Sequence, residues 1–161
     1  MTKDHDQHLR QNLAYLISGG GAHAKFDDAI KNFPADKRGE KPAQFPHSAW
    51  MILEHMRIAQ WDILEFSRSK KRVSPKWPEE YWPKTAGPAS AAAWNKSLQQ
   101  FHADQQGMIE LVENPKADLF AKIPWGDGQT ILREALLVAD HNAYHVAQIV
   151  DVRRLLEAWR G

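Results

Sequence analysis

From Ile131 to the end of the chain, one stripe of residues recurs at intervals of three and four: Ile131, Ala135, Val138, His141, His145, Ile149, Val152 and Leu156. That is the spacing of a single α-helical face. Gly126-Asp127-Gly128 precedes the stripe as a turn, with Asp127 or Thr130 as the cap. Arg153, Arg154 and Arg160, followed by Gly161, suit the negative end of a helix. A face this apolar needs other helices to cover it, so the pattern predicts a helical bundle.

The rest of the chain supplies those partners. Pro46 and Ser48 open a helix over about 48–66, with Ser48 as N-cap and Ile52, Met56, Ala59, Ile63 and Phe66 on one face. A further helix over about 90–112 carries Trp94, Leu98, Phe101, Gln105, Met108 and Val112, and Asn114-Pro115 stops it. The first helical region is broken. Leu9, Leu13 and Ile17 lie on a helix over 5–17 that runs into Gly19-Gly20-Gly21, where a kink or short loop is expected. Phe26, Ile30 and Phe33 then predict a second piece over 22–33, ending at Pro34. No alternating strand pattern of useful length appears. The reading is a single all-α domain over 1–161, a four-helix bundle whose first helix is broken at the glycine run. Two connections, Pro34 to His47 and Ser67 to Ala89, are longer than antiparallel neighbours need. The second permits a crossover, and Trp77, Tyr81 and Trp82 predict that it packs on the bundle.

Composition narrows the function. Lys plus Arg number 21 against 20 Asp plus Glu, a formal net charge of +1, which offers no reason to expect a nucleic-acid partner. Lys70-Lys71-Arg72 reads as a solvated loop. No window approaches the ~18 apolar residues of a membrane span. The N-terminal MTKDHDQHLRQNL lacks the apolar centre of a secretory signal, so a cytoplasmic setting is expected. With no cysteine there is no thiolate ligand and no cysteine nucleophile. Any transition metal must be held by His, Asp or Glu, and the chain has 8 histidines.

His141 and His145, four residues apart, point from one helix face one turn apart. They occupy inward positions between Val138 and Ile149, where imidazoles are costly unless bonded or bound. A satisfied core pair and a metal-binding pair are both compatible with this spacing. A third ligand is required for a site, and His55, at the edge of the second helix's apolar face, is the candidate. Three histidines leave coordination positions open, as catalytic sites do. Asp62 and Glu134 lie seven residues from His55 and His141 on the same faces, and each is a candidate partner for a histidine N–H or a general base. The plain alternative for each is a surface ion pair. His23, after the glycines, is a minor candidate for the pocket wall.

At LEHMRIAQWDIL, followed much later by DHNAYHVAQI, the chain resembles the DinB-like (YfiT-type) family of metalloenzymes. The resemblance runs from the first helix to Trp159. It implies a four-helix bundle in up-down-down-up order, a divalent ion, commonly zinc or nickel, held by His55, His141 and His145, and a homodimer. It also implies a small-molecule substrate, handled by metal-dependent hydrolysis or by transfer with a low-molecular-weight thiol cosubstrate. The competing readings are a metal-binding module without catalysis and a stress-response partner protein.

Overall fold

In the computed structural model, which describes residues 2–159, the chain forms α1 (Lys3–Ile17), α2 (Phe26–Ile30), α3 (Ala49–Arg68), α4 (Ala91–Glu113) and α5 (Ile131–Leu155). Among the described residues no β-strand forms; Lys122 and Thr130 make one isolated antiparallel bridge. The three long helices start alike. Ser48, Ser90 and Thr130 sit in extended backbone, and their side-chain oxygens accept from the N–H groups of Met51, Ala93 and Arg133. Each cap satisfies one of the donors that a helix start leaves without an internal partner. Of the two candidate caps for α5, Thr130 is the one used. Among the described residues no helix is long and apolar enough to cross a membrane.

The glycine run ends a helix instead of kinking one. Gly19 takes φ +80°, the left-handed conformation that glycine adopts without strain. Its N–H bonds to the Leu16 carbonyl and that of Gly20 to the Tyr15 carbonyl. This pair is the Schellman closure, which satisfies the last carbonyls of α1. The expected helix over 22–33 is correspondingly shorter. Only Phe26–Ile30 is helical: Lys25 is still extended at its start, and at its end Lys31 leaves helical conformation before Asn32 turns left-handed at φ 53°.

α3 packs between α4 and α5, and α1 packs against the same two helices from the other side. Side-chain pairings give the directions. Arg10 reaches the Val112 carbonyl while Gln105 reaches that of Ile17, so α1 and α4 are antiparallel. Trp50 lies by Trp94, Gln60 bonds to the Phe101 carbonyl, and Leu64 abuts Gly107, so α3 and α4 are parallel. Asn142 bonds to Gln60, and Phe66 abuts Gly126, so α3 and α5 are antiparallel. Because α3 and α4 run the same way, the chain between them must travel back along the length of α3, about 30 Å for 20 residues. That return path is the tryptophan-containing connection.

Two apolar clusters form the core, one around Phe26, Met56, Phe101 and Val152, the other around Leu13, Leu64, Met108 and Val138. On α3, Gln60 falls in sequence between Met56 of the first cluster and Leu64 of the second; on α5, Asn142 falls between Val138 and Val146. These two buried amides bond to each other at 2.7 Å, and Gln60 donates onward to Phe101 at 2.7 Å. Such a pair sets the register of α3 against α5, since a slip would strand the Asn142 N–H group and the Gln60 carbonyl oxygen without partners. The two long connections are pinned together as well. A Cβ on Gly39 would lie 2.7 Å from the Gly87 Cα, and the Ser48 hydroxyl donates to the Ala86 carbonyl.

Candidate metal centre

The antiparallel pairing of α3 and α5 brings His55 opposite His141 and His145. Each of the three rings offers a nitrogen, and these nitrogens all lie within 4.8 Å of one another. His55 and His145 are buried, and His141 is partly so.

Neighbouring groups fix how the rings stand. His55 Nδ1 is 2.9 Å from the Tyr81 carbonyl oxygen. A carbonyl only accepts, so Nδ1 carries the proton and the lone pair sits on Nε2. His145 Nδ1 donates to Gln148 Oε1 at 2.7 Å, which likewise leaves its Nε2 with a lone pair. His141 Nε2 lies 3.1 Å from His55 Nε2. The Trp82 indole stacks on His55 at 4.0 Å, with the two ring planes parallel to within 1°. The indole also stacks on His47 at 4.0 Å.

The electrostatics favour neutral rings. Burial, with His145 and His55 adding to it, pushes His141 down to about 3. Burial likewise pushes His145 down to about 4 and moves His55 downward. Neutral imidazole is the form that binds a metal. The donor set fits a divalent ion of the zinc or nickel type: three imidazole nitrogens with no thiolate or carboxylate among them. The 3.1 Å separation of His141 and His55 is about what two nitrogens adopt when each stands ~2.0–2.1 Å from one ion.

A cleft of about 510 Å³ opens beside the histidines, bordered by His55, His141, Asp62, Glu134, Arg72 and Tyr81, with Phe66, Ile63 and Leu137 as apolar wall. Both candidate carboxylates therefore line the same cleft as two of the histidines, and they differ in how they are held. Asp62 accepts from Arg72 Nε at 2.7 Å through Oδ1 and from the Tyr81 hydroxyl at 2.6 Å through Oδ2. Glu134, only 2% exposed, is bonded through Oε1 to its exposed neighbour Arg133 at 2.6 Å. His23 is elsewhere. It is exposed, faces the Ala24 carbonyl, and borders a groove with Leu16, Leu136 and Ala139. His102 pairs with Asp27 at 3.1 Å.

Sequence reasoning missed Tyr81, Trp82 and Gln148. Gln148 had a usable signal, because it sits three residues after His145 on the same helix face. Tyr81 and Trp82 had none beyond being aromatic in a long connection.

The fold and site define a class: an all-helical bundle with three inward histidines on two antiparallel helices. The DinB superfamily matches residues 21–149, most of the chain and all three histidines, and the chain belongs to that superfamily. The match begins after α1. No curated protein and no solved structure matches the chain.

Proposed function

We propose that His55, His141 and His145 hold one divalent metal ion, zinc or nickel, and that the adjoining cleft is the active site of a metal-dependent enzyme acting on a small molecule. The observation that carries this reading is three buried or half-buried imidazole nitrogens within 4.8 Å of one another, two of them oriented by hydrogen bonds, beside an open cleft. When bound, the ion supplies Lewis acidity that lowers the pKa of a water or thiol reaching it. The reaction is then hydrolysis, or transfer with a low-molecular-weight thiol as cosubstrate. Glu134 is the favoured proton acceptor, because Arg133 engages one oxygen from a solvent-exposed position while Asp62 has both oxygens committed. The apolar wall of Phe66, Ile63 and Leu137 takes the body of the substrate.

Metal analysis of the purified protein and its His55→Ala, His141→Ala and His145→Ala variants tests the site. One tightly bound equivalent in the parent and loss in each variant is expected; full retention in the His55 variant rejects the ligand set. Esters, amides and thiol adducts assayed with metal-loaded, chelated and His141→Ala protein test the chemistry. Equal turnover in all three preparations rejects metal catalysis.

The same reading places the protein in the cytoplasm as a homodimer. Leu16 and Leu136, exposed on either side of a groove between α1 and α5, support the dimer. Light scattering that returns the 18.4 kDa monomer mass at micromolar protein rejects it.

A further inference from the structure

We infer that Asp62 is a positioning residue for the ligand His55, acting through Tyr81, and that the α3–α4 connection is a strap clasped onto the site by this contact. The inference rests on the metal-site reading for what His55 does, but its geometry stands separately.

One residue joins the two groups. The Tyr81 hydroxyl donates to Asp62 Oδ2 at 2.6 Å, while the Tyr81 carbonyl accepts from His55 Nδ1 at 2.9 Å. The next residue, Trp82, covers the His55 ring at 4.0 Å. Asp62 is also held by Arg72 Nε at 2.7 Å, from the start of the same connection. Asp62 is thus gripped at two points of the strap, one near its beginning and one beside His55. Both anchors are on α3: Asp62 lies seven residues after His55, two turns along the same face.

The physical consequence concerns a backbone carbonyl. Tyr81 is the last residue of a single 3-10 turn, Glu79–Tyr81, and its N–H bonds back to the Pro78 carbonyl. Its own carbonyl points out of that turn, and one turn in a long connection is a weak hold, so its aim depends on what fixes the neighbouring side chains. Here the Tyr81 side chain is tied to Asp62, and that tie sets where the Tyr81 carbonyl points. The carbonyl in turn holds His55 in the Nδ1–H form and turns the Nε2 lone pair towards His141 and His145. Partners of this kind, one bond beyond the ligand, typically account for ~10–100-fold in metal affinity. Asp62 is two bonds removed, so the strap passes its effect on.

The test uses the full chain with zinc(II) alone as probe, in competition with a chelator, on Tyr81→Phe, Asp62→Ala and the double variant. Tyr81→Phe keeps the ring, the carbonyl and the fold, and removes only the hydroxyl. We expect each single variant to bind zinc about tenfold more weakly. The double variant should be no weaker than the worse single one, because both break the same clasp. Nitrogen-15 spectra of metal-free protein read the clasp directly. His55 should be held as Nδ1–H in the parent and become a mixture of tautomers in each variant. Affinities within about twofold of the parent, independent losses that multiply in the double variant, or an unchanged His55 tautomer would each overturn the inference. If the parent itself binds neither zinc(II) nor nickel(II), the metal-site reading fails, while the tautomer spectra still decide the positioning role. If Asp62→Ala does not fold, Tyr81→Phe alone decides it.

Discussion

Metal-free protein should lose stability on mild acidification because of two particular side chains. His141 and His145 are held down to about 3 and about 4 by burial, with neighbouring histidines contributing, whereas an unfolded chain returns each to ~6.5. The unfolded state therefore binds more protons than the folded one below about pH 6.5, so stability falls as pH falls. The loss proceeds until the folded values are reached, near pH 4 for His145 and pH 3 for His141. At about pH 5 the cost is set almost entirely by the unfolded value, since both folded values lie a unit or more lower. A pH ~1.5 units below the unfolded pKa costs about 2 kcal/mol for each imidazole that stays neutral in the folded state, so the pair together costs about 4 kcal/mol of stability between about pH 8 and pH 5. His55 moves in the same direction. Against a typical domain stability of ~5–15 kcal/mol that is a large share. The assay is urea unfolding, followed by far-ultraviolet circular dichroism with chelator present, of the parent and a His141→Gln/His145→Gln variant. The parent should lose about 4 kcal/mol and the variant only what other groups contribute. A parent curve flat to within about 1 kcal/mol, or an equal drop in the variant, would refute the reasoning.

Three further outcomes follow from the packing. Arg10→Met should cost about 2–4 kcal/mol in denaturant unfolding, because the buried guanidinium donates to the carbonyls of Val112, Asn114 and Ala117 at 2.8–2.9 Å and closes the end of α4. Phe101→Ala should cost about 3–5 kcal/mol by the same measurement, since this ring is fully buried and stacks on Phe26 at 4.0 Å. Gly39→Ala should cost about 1–3 kcal/mol and speed proteolysis of the α3–α4 connection, because the new methyl group meets the Gly87 backbone, which has no rotamer to give.

What the chain determined by itself is whatever depends on residues within a turn or two of one another. The inward stripe of α5, with Val138, His145, Ile149 and Val152 all buried, follows from helical period alone. So do the caps at Ser48 and Thr130 and the break at the glycines, since each is a contact across three to five residues. His141 and His145 were therefore legible as a pair, and His55 as a residue at the edge of an apolar face. The expected helix over 22–33 was shortened to Phe26–Ile30, because the backbone is extended at Lys25 and turns out of the helix at Lys31 and Asn32 despite the apolar spacing. Only the tertiary structure decided which faces meet. The 3.1 Å approach of His55 to His141 spans 86 positions and depends on the register of α3 against α5. The commitment of Asp62 to Arg72 and Tyr81, and the Trp82 cover on His55, depend on the path of the α3–α4 connection. That path has no period to read. It follows from parallel packing of α3 and α4, which obliges the chain to return along α3 and brings its aromatic residues over the histidines.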